Sequence, residues 1–254
     1  NYPGFTRMSG NEFAEKLIDQ AMALGADIEP GEATGISVLG DRRVVHTDMG
    51  DYEGRAVILA TGSKHRPLGL DGEEKFVGNG ISYCAVCDGA FYKGKNVAMI
   101  GGGNSALQET VLLAEGCRKV TVFQNLPYLT GEGRLNQKVS ALPNVEIVTS
   151  TVVDALLGGD TLQGIRVKNT ETGVLTEYTL DGVFVCIGQM PDNAAFAENV
   201  EVNDAGYIVA DESCRTKDPA VFTAGDCRTK TVRQITTATG DGAAAAIAAC
   251  RYLG

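Results

Sequence analysis

Cys84-Ala85-Val86-Cys87 places two thiols close enough in the chain for their sulfurs to bridge. Pairs at this spacing often contain one thiol of lowered pKa, and the thiolate is the form that attacks a disulfide. Asp88 follows at once, and its carboxyl can shuttle a proton to a departing thiolate. Cys84, Cys87 and Asp88 are therefore the candidate catalytic group, and reversible thiol–disulfide exchange is the candidate chemistry. The competing use of such a pair is half of a zinc site. A structural zinc site needs a second ligand pair. The sequence holds no second Cys-x-x-Cys, and its only histidines are His46 and His65, so no metal is expected.

A second constellation is Gly101-Gly102-Gly103-Asn104-Ser105-Ala106, which fits Gly-x-Gly-x-x-Ala. It lies between an expected strand and an expected helix. Gly101 allows the turn, Gly103 lets backbone approach a pyrophosphate, and Ala106 permits close helix–strand packing. The helix start, at Asn104 and Ser105, then faces the phosphate charge. A bound dinucleotide also needs an acidic residue, or arginines, after the next strand. Here that strand ends Phe123-Gln124-Asn125-Leu126-Pro127-Tyr128-Leu129-Thr130, with no charged residue.

Composition narrows the function class. The 254 residues carry a net charge of −10 with no basic block, which argues against nucleic acid or an anionic membrane as partner. No apolar run reaches the length of a membrane span. Seven cysteines with one close pair do not make a secreted disulfide scaffold. The other five read as buried thiols. A cytoplasmic location is expected.

The elements that must hold these residues follow from pattern. Ser9-Gly10-Asn11-Glu12 has capping-box spacing, and Phe13, Leu17, Ala21 and Leu24 give the helix behind it one apolar face, closed by Gly25. Short strands are expected from 28 to 58, the last of them Ala56–Ala60, a buried strand running into Thr61-Gly62. Asn96–Ile100, the glycine turn, a helix from Asn104 to Glu115 and Val120–Phe123 form a βαβ unit and hence a parallel sheet. Further strands are expected at 162–168, 183–187 and 221–224, the last leading into Gly225-Asp226. An alanine-rich helix is expected from Thr239 to Tyr252.

Taken in order, Cys84-Ala-Val-Cys-Asp88-Gly89, the Gly-Gly-Gly-Asn-Ser-Ala loop, Ala224-Gly225-Asp226 and Arg233-Gln234-Ile235 resemble the low-molecular-weight thioredoxin reductase family over nearly the whole chain. The resemblance implies an α/β fold of two dinucleotide-binding, Rossmann-like, three-layer domains, one inserted in the other. It places FAD-domain sequence at 1–68 and 188–254, with the pyridine-nucleotide-type domain inserted at 69–187. It implies FAD as cofactor and a thioredoxin-like protein as substrate, with the chain as a homodimer. Cys87 would face the flavin, Cys84 would attack the partner disulfide, and Asp88 would be the acid–base group. Asn1, Ala60, Thr61, Gly62, Gly225, Asp226, Arg233, Gln234 and Ile235 would contact FAD, with Asp226 on the ribityl chain and Asn1 beside the isoalloxazine. Gly101, Gly103, Asn104, Ser105 and Ala106 would hold a pyridine nucleotide.

The sequence departs from the family at two places. The strand, Gly-x-Gly-x-x-Gly and helix that open the family's FAD domain do not occur here, so the chain is expected to be a fragment without the main FAD pyrophosphate loop. The basic signature for the NADPH 2′-phosphate maps onto Gln124–Thr130, where every basic residue is missing. That stretch, with Val232–Thr237, is more similar to the ferredoxin-dependent flavin thioredoxin reductases of anaerobic bacteria. NADPH and ferredoxin are thus the two candidate donors. Arg42, Arg43, Arg228, Lys230 and Arg233 are candidates for a basic patch that an acidic ferredoxin would need. The rival reading from another class is a non-catalytic dinucleotide-binding or redox-sensing remnant without bound flavin.

Overall fold

The computed structural model describes residues 2–6 and 8–254. Asn1, one of the candidate FAD contacts, lies outside the described residues. The chain divides into two compact units, Asn1–Lys64 with Met190–Gly254, and His65–Gln189.

The first unit opens with α1 (Gly10–Ala23), whose N-cap Ser9 accepts a hydrogen bond from the Glu12 amide at 3.2 Å. Gly25 follows with φ +88°, and its amide returns to the Met22 carbonyl, so both ends of the helix are where the caps place them. The apolar face expected to be buried is not. No α1 residue is buried, and Leu17 and Leu24 are exposed. An antiparallel meander follows, β1 (Ala33–Leu39), β2 (Arg42–Thr47) and β3 (Gly50–Gly54), and then β4 (Val57–Leu59). The expected buried strand is shorter than its apolar run, and only Leu59 of β4 is buried. The chain leaves this unit at β5 (Lys64–His65).

The second unit is built on a βαβ core. In chain order it contains α2 (Glu73–Phe76), β6 (Ile81–Ser82), α3 (Ala85–Asp88), β7 (Asn96–Ile100), α4 (Asn104–Gly116), β8 (Lys119–Phe123), α5 (Gly133–Ser140) and β9 (Val145–Val148). It continues with β10 (Thr151–Gly158), β11 (Leu162–Asn169), β12 (Leu175–Thr179) and β13 (Gly182–Val185), and the chain leaves at β14 (Gln189–Met190). Five strands form a parallel sheet in the order β6-β13-β7-β8-β9. Its central strands β13, β7 and β8 are buried along almost their whole length because both faces are covered. Val97, Met99, Val120 and Val122 pack with Ala106 and Leu113 of α4, whereas Ala98, Ile100 and Val183 pack with Leu162, Ile165 and Val167 of the antiparallel sheet β10-β11-β12. Helices, parallel sheet and antiparallel sheet are the three layers.

Back in the first unit, β15 (Val221–Thr223) pairs in parallel with β4, and α6 (Ile235–Leu253) packs on both. Alternation again sorts the side chains. Val221 joins the cluster around Phe196 and Ile208, and Phe222 joins Ala245, Ala248 and Ala249 of α6. The sequence places the start of this helix at Thr239, but it begins four residues earlier. Gln234 is its N-cap, and Gln234 and Thr237 form a reciprocal capping box. The run Thr236, Thr237, Thr239 argues for extended chain on propensity, and the cap overrides it.

Candidate active site: a dithiol turn, a glycine turn and a carboxylate loop

In the second unit, Cys84 and Cys87 are joined in a disulfide across α3, with their Cα atoms 5.3 Å apart. Cys84 is the N-cap of this short helix, and its sulfur accepts the Cys87 amide at 3.1 Å. Cys87 is exposed and Cys84 half-buried. Asp88 is fixed beside them, because the buried Ser82 hydroxyl donates to Asp88 Oδ2 at 2.7 Å and accepts the Cys84 amide at 3.1 Å. Ser82 carries no sequence signal of its own, and only its geometry marks it. The structure therefore brings all three candidate catalytic residues into one turn.

Also in this unit, the glycine turn joins β7 to α4 as expected. Gly101 has φ +124°, and a Cβ there would run into the Cys186 carbonyl oxygen. Ala106 is fully buried against the sheet. Gly103 is the N-cap of α4, no side chain caps it, and the nearest atom to a Cβ added there is Thr130 Oγ1 at 3.7 Å. The turn thus keeps an open cradle at the end of a helix whose Asn104 and Ser105 are exposed. A cavity of about 640 Å³ lies over it, lined by Gly101–Gly103, Gln124, Leu126, Thr130 and Thr151. Gln124 is buried, donates to the Tyr128 carbonyl at 3.3 Å, and sits where a Cβ on Gly102 would be. The amides of Thr130 and Gly131 tie the same segment down to the Gly102 carbonyl at 2.9 and 3.0 Å. Arg66 is the one cation lining this cavity among the described residues.

Within the first unit, the parallel pairing of β4 and β15 sets their C-terminal ends side by side. Ala60, Thr61 and Gly62 follow β4, and Gly225 and Asp226 follow β15. Both loops are clamped by Asn193, which sequence reasoning missed and for which no motif gives a signal. Buried Asn193 accepts from the Thr61 hydroxyl at 2.8 Å and donates to the Cys227 carbonyl at 3.1 Å. Gly225 has φ +82° and donates its amide to Asp241 Oδ2 at 2.9 Å. Arg233 reaches back to the Asp226 carbonyl, and its guanidinium stacks 3.9 Å from the Tyr207 ring centroid. Gln234 and Ile235, the last two FAD candidates, are the cap and first residue of α6.

Three of the five cations considered for a docking patch do not face solvent. Arg43 is buried on Asp218 at 2.6 Å. Arg228 and the Lys230 side chain are buried on Asp241 at 2.7 and 2.8 Å. A carboxylate this deep needs partners, and only the pairs at Asp218 and Asp241 allow these cations to be enclosed.

Comparison with known proteins decides the family. Residues 8–242 match the profile described as pyridine nucleotide-disulphide oxidoreductase. The chain belongs to this family. It is 38% identical to a protein named thioredoxin reductase from Treponema pallidum, over all of this chain and 82% of that one. It is 36% identical to a 34.2 kDa protein in the rubredoxin operon of Clostridium pasteurianum, over all of this chain and 83% of that one. The crystal structure of Lactococcus lactis thioredoxin reductase in the FR conformation superposes with a TM-score of 0.93 at 35% identity, covering all of this chain and 84% of that one.

A pyridine nucleotide-disulphide oxidoreductase implies bound flavin and nucleotide, and the carboxylate loop fits the former. Asp226 Oδ1 is buried with no hydrogen-bond partner among the described residues. An oxygen of this kind is expected to meet a donor, and a sugar hydroxyl of FAD supplies one. Thr61, Gly62, Gly225 and Asn193 border or brace the same loops. The glycine turn fits a pyrophosphate, but no residue from Gln124 to Thr130 fits a 2′-phosphate.

Proposed function

We propose that this protein is a thioredoxin-disulfide reductase that draws electrons through FAD from a donor other than NADPH. The observation that carries the reading is the Cys84–Cys87 disulfide, open to solvent at Cys87, with Asp88 locked against it by Ser82. When bound, FAD supplies the two-electron carrier between donor and disulfide. Two electrons and two protons convert Cys84–Cys87 to two thiols. The Cys84 sulfur then attacks the thioredoxin disulfide, forming a mixed disulfide and releasing one thioredoxin sulfur. Cys87 attacks Cys84 in turn, which restores the bridge and frees the second sulfur. Asp88 is placed to take the proton from an attacking thiol and return it to a leaving one. Residues 1–64 and 190–254 hold FAD through Asp226, Arg233 and the loop at Ala60–Gly62. Residues 65–189 carry the exchanging pair.

Reduced ferredoxin is the donor we favour. The supporting observation is the glycine-turn cavity, where Asn125, Leu126 and Thr130, which the resemblance matches to the arginines of the 2′-phosphate signature, bring no charge and Arg66 is the one lining cation among the described residues. Arg43, Arg228 and the Lys230 side chain are buried and Arg233 is half-buried in the loop assigned to FAD, so of the candidate patch Arg42 alone is exposed to draw a ferredoxin. Trapping tests the exchange reading. The Cys87→Ser protein keeps a free Cys84 and is expected to displace thionitrobenzoate from a singly activated thioredoxin and remain covalently attached to it. Cys84→Ser is expected not to. Equal adduct formation by both variants sinks the assigned roles.

A further inference from the structure

Asp88 is not the only carboxylate at the dithiol turn. Glu109 projects from α4, and its Oε2 accepts the Ala85 amide at 3.2 Å and the Cys186 thiol at 3.2 Å. Ala85 is the first residue of α3, next to Cys84. Cys186 stands just beyond the end of β13, below the glycine turn. Its thiol is pushed up to about 12, first by burial and then by the charge and hydrogen bond of Glu109, so it stays protonated and serves only as a donor.

The other groups around the pair add little positive charge. From α3 comes Asp88, bonded to Ser82 of β6. From the turn after it comes Tyr92, whose phenol is raised by burial and then by Asp88. Lys95 lies 5.4 Å from the Tyr92 ring centroid. No cation bonds to the turn itself among the described residues. Reduction leaves two sulfurs that must each hold a proton or a negative charge, and a neighbouring carboxylate favours the proton.

We propose that Glu109, anchored by the Cys186 thiol and the Ala85 amide, is a positioning residue that keeps a negative charge beside Cys84 and so holds the reduced pair as thiols. The Cys87 amide, given to Cys84, pulls the other way, and the balance between them sets when Cys84 becomes reactive. A pair kept protonated at rest resists adventitious oxidants, which attack thiolates. The inference rests on Cys84–Cys87 being an exchanging pair, but its test needs neither flavin nor thioredoxin, so its failure is separable from failure of the reductase reading.

The full chain is reduced with dithiothreitol under argon and alkylated with iodoacetamide across pH, and Cys84 modification is followed by mass spectrometry. In Glu109→Gln the half-alkylation pH is expected to fall by about one unit, equivalent to a roughly tenfold larger thiolate fraction near neutral pH. Glu109→Asp retains the charge and shifts less, which a packing role alone does not predict. Coincident profiles for the parent and Glu109→Gln overturn the proposal, as do equal shifts in the Gln and Asp variants. If Glu109→Gln does not fold, Cys186→Ala decides. It removes the thiol that anchors the carboxylate, so its profile is expected to move to lower pH as in Glu109→Gln, and an unchanged or higher one overturns the proposal.

Discussion

At the residue scale, Asp226 Oδ1 is enclosed by protein and bonds to nothing among the described residues. Leaving such an atom unpaired costs on the order of 1–3 kcal/mol. Its retention makes sense if a ligand hydroxyl completes it. Asp226→Ala is therefore expected to weaken FAD binding by roughly 1.5–3 kcal/mol, the usual size of a charge-assisted bond. It should leave the thermal midpoint of the FAD-free protein unchanged or higher. Fluorescence titration with FAD and a melt without it measure both, and unaltered FAD affinity contradicts the role. Asp226 was legible in the sequence because a strand and a glycine precede it. Asn193 and Ser82 were not, because each acts through hydrogen bonds to residues far along the chain or to the backbone, and no spacing records that.

At the scale of elements, one buried network fixes the start of α6 to the loop after β15. Asp241 on α6 receives Arg228 Nε at 2.8 Å, Arg228 Nη2 at 2.7 Å, Lys230 Nζ at 2.8 Å and the Gly225 amide at 2.9 Å. Burial opposes its ionisation, but the bonds from Arg228, Lys230 and Gly225 overcome it and lower its pKa to about 2, while Arg228 is raised. A carboxyl depressed in the folded state stabilises the fold at pH values above its unfolded pKa and ceases to do so as pH falls through the folded one. Stability worth about 2 kcal/mol should accordingly drain away between about pH 4 and pH 2. Asp241→Asn leaves two buried cations short of their charge and is expected to cost about 3–5 kcal/mol at neutral pH while flattening that acid limb. Urea melts at several pH values report this, and an acid limb as steep in Asp241→Asn as in the parent contradicts it. The strands and the βαβ turn could be read from sequence because both faces of the sheet are apolar. The α6 start could not, because Gln is a poor N-cap by type and succeeds only through its reciprocal bond with Thr237.

For the whole molecule, the two units divide the labour: residues 65–189 carry the dithiol and glycine turn, and the remainder carries the carboxylate loop. The donor is the point at which the chain departs most from the commoner pattern of its family. Each missing charge-assisted contact to a 2′-phosphate costs on the order of 1.5–3 kcal/mol. The FAD-loaded protein is thus expected to be bleached slowly by NADPH in stopped flow and faster by reduced ferredoxin. Fast bleaching by micromolar NADPH would restore the ordinary donor without touching the exchange chemistry. Electron delivery from the Cys84–Cys87 pair to thioredoxin can be read from a single turnover that needs no physiological donor. FAD-loaded protein is reduced with dithionite, freed of excess reductant, and mixed anaerobically with oxidised thioredoxin, whose new thiols are counted. Reduced flavin and reduced pair each hold two electrons, so four new thioredoxin thiols are expected per parent protein and no fully reduced thioredoxin from Cys84→Ser or Cys87→Ser, and undiminished transfer by either variant contradicts the assignment.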